Sequence, residues 1–256
     1  MLLSIIVEVR RAPVTKASRV DLAVNFLESQ YDSSLNLCRE APYVAPDTYW
    51  VLGDNLFAYK AFELADKPEL ANSIKSKIIE LADEYNLPKD QNGLPISYAH
   101  EAVIGDVVPY IPFKGGTTYL LYENDYTLKT VIYDGSEMVD WREYADLLLY
   151  ASLSYHWQGK ERDALDCFNE AVDMWDGMGL MDKWTMQYAL YSTYKLSLLL
   201  YTSKILKRKV PGAVIRRIWK QQRDDGGIIT EYDFDGNPVG DANTETTAIT
   251  VIAFKT

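Results

Sequence analysis

Histidine and cysteine are scarce in this chain, with two of each: His100, His156, Cys38 and Cys167. No CxxC or HExxH spacing links them, which excludes the common Cys/His zinc sites. No metal or cofactor site is read from the sequence. The two cysteines could form one disulfide, but their spacing does not require it. Cys38 stands beside Arg39, which would favour a thiolate, yet no His or Asn partner can be assigned to it. Each histidine stands alone, which suits a core or surface role better than catalysis. Long apolar runs are also missing. Met1–Val9 is apolar but is interrupted by Glu8, and it is too short for a membrane span or a leader. The expectation is a cytoplasmic protein, with secretion left open. Basic residues are outnumbered, 26 Lys and Arg against 37 Asp and Glu, for a net charge of −11. That balance argues against a nucleic-acid backbone or an anionic membrane as partner.

Tyrosine and tryptophan are abundant, at 19 and 6. Aromatic side chains fill cores, and they also line ligand clefts. A hydrophobic fraction of 48% and 256 residues suit one globular domain spanning 1–256. Residues 1–13 read as an extended start. Beyond them, helices that are apolar on one side alternate with helices apolar nearly all round. The second kind covers about 48–64, 141–157, 183–206 and 244–254. An Asp- or Gly-rich loop recurs between the two kinds, at Tyr31–Ser34, Asp90–Gly93, Trp175–Gly177 and Asp224–Gly227. One-sided helices suit an outer layer and all-round apolar helices an inner one. The resulting expectation is an all-α dominated toroid of about four outer–inner hairpins, incomplete or small as a ring. Residues 97–134 change to β-branched and aromatic alternation, and predict a small antiparallel β insert.

Gln222-Arg-Asp-Asp-Gly-Gly and the later Asn243-Thr-Glu-Thr-Thr-Ala resemble motifs of the α/α-toroid enzymes, which include six-hairpin glycosidases and terpenoid cyclases. Asp47-Thr-Tyr-Trp with Asp54-Asn55 is similar to the aromatic-Asp-Asn helices that line six-hairpin glycosidase clefts. The resemblance implies a structural tie for Gln222 and a carbohydrate-cleaving cleft at the long-loop end. The DxDD acid motif and the DDxxD metal motif of terpene chemistry are absent.

Many acidic residues have a simpler explanation. Asp32, Asp47, Asp140, Asp182 and Asn243 stand where helix N-caps belong. Glu40, Asp54 and Glu245 are harder to explain that way. The periodicity puts Asp54 about two turns into an apolar helix, beyond capping range. A buried carboxylate there needs a partner, with Arg39 the first candidate, or a wet cavity. Glycoside hydrolysis needs one carboxylic acid and a second carboxylate across the bond. Glu40, Asp54 and Glu245 are therefore the catalytic candidates. Arg39, Tyr43, Tyr49, Trp50, Tyr232 and Asp241 are the substrate-binding candidates. The ligand expected is an oligosaccharide or another small oxygen-rich molecule, at the long-loop end and away from Lys207–Lys209. The alternative is a non-catalytic binding or protein-interaction module. The sequence does not specify an oligomeric state.

Overall fold

Short extended segments precede the apolar helices, and they change the architecture. The computed structural model describes residues 16–90, 93–96 and 99–256. The extended start expected at 1–13 lies outside the described residues, as do 97–98 at the head of the insert. In chain order the elements begin with α1 (Lys16–Gln30), β1 (Tyr31–Asp32), β2 (Leu37–Cys38), β3 (Thr48–Trp50), α2 (Asp54–Leu64) and α3 (Pro68–Glu84). A 3₁₀ turn at His100–Ala102 follows, then β4 (Lys114–Glu123) and β5 (Thr127–Glu137). Next come α4 (Ala145–Trp157), α5 (Glu161–Asp173), α6 (Lys183–Tyr188), β6 (Tyr191–Ser192) and α7 (Thr193–Ile205). The chain closes with α8 (Gly212–Lys220), β7 (Ile229–Tyr232), β8 (Pro238–Ala242) and α9 (Thr244–Lys255).

This is a mixed α/β structure, 48% helix and 19% strand with three small sheets, and not the all-α dominated toroid expected from periodicity. Two of the expected helices start later than the apolar pattern does, and a third is broken in two. Thr48-Tyr49-Trp50 pairs in parallel with β5, as suits its β-branched and aromatic residues. Gly53, at φ 91°, then turns the chain into α2. Trp141–Glu143 forms a 3₁₀ turn, and Tyr144 is extended before α4. The segment 183–206 breaks at Ala189, which is left-handed, and resumes after β6 has paired with β7. An apolar pattern cannot distinguish a buried helical turn from a buried extended one over so few residues. The β insert is the β4–β5 hairpin, which runs to Glu137 and takes β3 as a third strand. Ile104–Val108 is not a strand.

Four apolar helices lie side by side in the order α4, α7, α9, α2. The 3₁₀ turn His100–Ala102 touches both α4 and α2, the two ends of that row. The one-sided helices α5, α8, α1 and α3 cover α4, α7, α9 and α2 in turn. Leu56, Phe57 and Phe62 of α2, Leu148, Leu149 and Leu153 of α4, and Ile249 and Ile252 of α9 are fully buried. Burial of each such side chain contributes roughly 1.5–3 kcal/mol.

The recurring loops share one construction. Each is closed by an antiparallel pairing: β1 with β2, Lys89 with Pro95, Trp175 with Leu180, and Gln222 with Ile228. In each an aspartate Oδ1 accepts from backbone N–H groups inside the loop: Asp32 from Ser34, Asp90 from Leu94, Asp176 from Met178 and Gly179, Asp225 from Gly227. These side chains replace backbone partners in a tight turn. Gly226 has φ 96°, and a Cβ there would meet Leu22 O at 2.0 Å, so only glycine lets this loop lie on α1. Gln222 Nε2 donates to Arg19 O and Gly226 O, tying that loop to α1.

Asn243 caps α9, its Oδ1 accepting from Thr246 N at 2.8 Å. Asn243→Ala is expected to lower stability by about 1 kcal/mol. A urea midpoint identical to wild type would show that the cap contributes nothing.

Candidate active site

The first turns of the four apolar helices converge, and their polar residues cluster there. Asp54 opens α2, Asp146 is second in α4, Lys195 third in α7 and Glu245 second in α9. A helix N-terminus favours carboxylates through its unpaired N–H groups and dipole. The turns of α4, α7 and α9 meet at a cleft of 440 Å³ lined by His100, Asp146, Tyr150, Trp184, Tyr194, Lys195 and Glu245, with Met138, Tyr144, Leu147, Ser192 and Thr230. Lys207–Lys209 lies past the other end of α7, roughly 20 Å away at 1.5 Å per residue.

Asp54 is not two turns inside a helix. It stands at the first position because Thr48–Trp50 is a strand. It is only 6% exposed, and its Oδ2 has no hydrogen-bond partner. Arg39 is not its partner either: no ion pair among the described residues joins them, and Arg39 Nε is itself buried without a hydrogen bond. Burial, then the charges of Glu245 and Glu40, hold the Asp54 carboxyl well above the usual carboxylate range. It stands in a cluster of three carboxyls with Glu245 and Glu40, and both burial and those neighbours favour its neutral form.

The local chain explains why these three meet. Asn55 Oδ1 accepts from Cys38 N, and its Nδ2 donates to the Cys38 and Trp50 carbonyls, fixing the start of α2 against β2. Thr244 donates from N to Glu40 O and from Oγ1 to Arg39 O, which brings α9 to the residues just after β2. Glu40 Oε2 accepts from Trp50 Nε1 at 2.8 Å. Glu245 Oε1 lies 2.7 Å from His100 Nε2. The other ring nitrogen, His100 Nδ1, is buried without a hydrogen-bond partner. The His100 ring packs on Phe57 at 4.7 Å and Tyr150 at 5.6 Å.

A second buried network forms another wall. Lys195 Nζ donates to Asp182, which is fully buried, and lies 3.4 Å from Asp146. Asp182 also accepts from Thr185 N and Ala145 N, so one carboxylate fixes the starts of α6 and α4. Burial opposes the Lys195 charge, but Asp146 and Asp182 outweigh it and raise its pKa. The Trp184 ring lies 5.4 Å from Lys195 Nζ. The hydroxyls of Tyr150 and Tyr194 are hydrogen-bonded to each other.

Of the sequence candidates, Glu40, Asp54 and Glu245 come together, and only Glu245 lines the cleft. The substrate-binding candidates do not line it. Tyr49 is buried and donates to Asp32. Tyr232 is fully buried and donates to Met178 O. Asp241 accepts from Arg223 and from Tyr43 N. Tyr43 is 72% exposed with Arg223 over its ring. Trp50 is held by Glu40 and Lys129, and Arg39 is half-buried. Cys38 and Cys167 are both buried and unbonded, so there is no disulfide. Burial, with Asp54 nearby, pushes the Cys38 thiol up, opposite to the effect expected from Arg39 alone. Sequence reasoning missed His100, Asp146, Tyr150, Trp184, Tyr194 and Lys195. Lys195 was detectable: like Asp54, it is a charge inside an apolar run. Among the described residues no helix is long and apolar enough to cross a membrane. The chain matches no protein-family model, and no curated protein or solved structure shows significant similarity to it.

Proposed function

We propose that the cleft binds a sugar or oligosaccharide and that Glu245 acts there as a general acid–base in glycoside hydrolysis. The observation that carries this reading is the Glu245–His100 contact at the cleft, backed by the buried, unpaired Asp54. Most acidic side chains described above are held by backbone N–H groups or by cations. Asp54 Oδ2 has neither, and unsatisfied buried carboxyl oxygens are costly enough to cluster at functional sites. In this reading His100 orients Glu245, and Asp54, buried beside it, shapes the field at that carboxyl. Asp146 on α4 is the second carboxylate that hydrolysis requires. Tyr144, Tyr150, Tyr194 and Trp184 give the apolar faces on which sugar rings stack.

The resemblance of Asp47–Trp50 with Asp54-Asn55 to the helices lining glycosidase clefts supports the same class. A non-catalytic binding module is the second reading, and one observation favours it: Asp146 is drawn to Lys195 and Glu40 to Trp50. The test is an oligosaccharide panel followed by reducing-end release and calorimetry. Glu245→Gln and Asp146→Asn are expected to stop hydrolysis while melting stays near wild type. Binding without hydrolysis, lost in Trp184→Ala, would select the binding module. A panel with neither binding nor hydrolysis would reject both readings.

A further inference from the structure

In so acidic a chain, a group of cations without acidic partners calls for an explanation. Arg216, Arg217 and Lys220, near the end of α8, line a pocket of 380 Å³ with Gly177, Ala213 and Asp235. None of the three joins an ion pair among the described residues. Arg217 is half-buried. Its Nη2 donates to Met178 Sδ at 2.9 Å, and its guanidinium carbon lies 5.5 Å from the Tyr232 ring centroid. A thioether is a weak acceptor and brings no charge. A Cβ on Gly236 would fall 1.9 Å from Arg217 Nη1, so glycine is what lets the guanidinium lie against this loop.

Nearby carboxylates are engaged elsewhere. Asp233 accepts from the N–H groups of Asp235 and Asn237 and from Asn237 Nδ2. Asp176 accepts from Met178 N, Gly179 N and the Tyr191 hydroxyl. Asp225 and Asp241 hold Arg223. The pocket therefore sets three cations against one exposed carboxylate, Asp235. We propose that this pocket is an oxyanion site that takes a phosphate group. Asp235 alone leaves two cations without a counter-charge, and a carboxylate ligand would still leave one. A phosphate offers two charges and enough acceptor oxygens for Arg forks and a lysine together. The pocket shares no lining residue with the cleft, so this inference does not rest on the glycosidase reading.

The experiment titrates the full chain with inorganic phosphate and, separately, with a sugar monophosphate, at an ionic strength held constant with chloride. Amide shifts at 213–220 and 233–237 are followed by NMR. Saturable shifts are expected, with affinity about tenfold lower in Arg217→Met. The exposed double variant Arg216→Gln/Lys220→Gln should show a similar loss and guards against misfolding of the half-buried one. Tighter binding of the sugar monophosphate would identify the ligand as a phosphorylated metabolite, and equal binding would identify it as the free ion. Shifts that never saturate, that chloride alone reproduces, or that persist unchanged in the double variant would overturn the proposal.

Discussion

Lys195→Ala is expected to lower the unfolding free energy by about 3–5 kcal/mol, the cost of leaving a buried charge without its partner. Asp182 is fully buried, and Lys195 is the cation bonded to it. Removing the ammonium leaves that carboxylate with only Thr185 N and Ala145 N as donors. It also removes the charge 3.4 Å from Asp146 at the cleft wall. Lys195→Met should recover part of the packing loss but not the electrostatic loss. Asp182→Asn on the Lys195→Met background should then be less harmful than on wild type, because the two changes remove one interaction. The pH dependence has a definite sign. The folded pKa of Lys195 is raised, so its contribution is fully present below the unfolded lysine value of about 10.4. It fades only as pH rises through the higher folded value. Between pH 6 and 9 the deficit of Lys195→Ala should therefore be roughly constant. A urea midpoint in Lys195→Ala within error of wild type would mean that Asp182 is neutral or wetted, and would remove this network from the account of the fold.

The elements most legible in the sequence were those fixed by burial over many residues. The one-sided stripe of α5, with Ala164, Cys167, Phe168 and Ala171 buried, and the all-round burial of α9 follow directly from apolar spacing. The Asp- and Gly-rich loops were also legible, because the turn residues there act on their own backbone. The extended segments before α2 and α7 were not. Their pairing with β5 and β7 is set by residues some 40 to 80 positions away, which no local pattern encodes. That error propagated to the site. Taking Thr48–Trp50 as helix moved Asp54 inward by a turn or more and made Arg39 the first candidate for its partner. The clustering of Glu40, Asp54 and Glu245 was found through their resistance to a capping explanation. His100 could not be found that way, because a lone histidine in a loop carries no signal until α2 and α4 close around it.

Asp54→Asn is expected to raise stability at pH 7 by about 1–3 kcal/mol while impairing whatever chemistry the cleft performs. The wild-type carboxyl is buried beside Glu245 and Glu40, and its Oδ2 has no donor. Asparagine keeps the shape, carries no charge at any pH, and offers an N–H₂ where the protonated acid offers an O–H. Below about pH 3.8, the ordinary carboxyl value, Asp54 is protonated in both folded and unfolded chains and costs nothing. As pH rises past that value the unfolded chain releases its proton and the folded chain does not, so stability falls. The fall continues up to the raised folded value and then levels off. The advantage of Asp54→Asn should therefore be small near pH 4 and grow toward neutrality. Urea titrations of both proteins at pH 4, 5.5 and 7 would trace it. An asparagine variant that is less stable than wild type at pH 7 would show that Asp54 is ionised and held by a cation. A variant that is more stable and retains full activity on a substrate found by the oligosaccharide panel would leave Asp54 outside the reaction, with Glu245 and His100 acting without it.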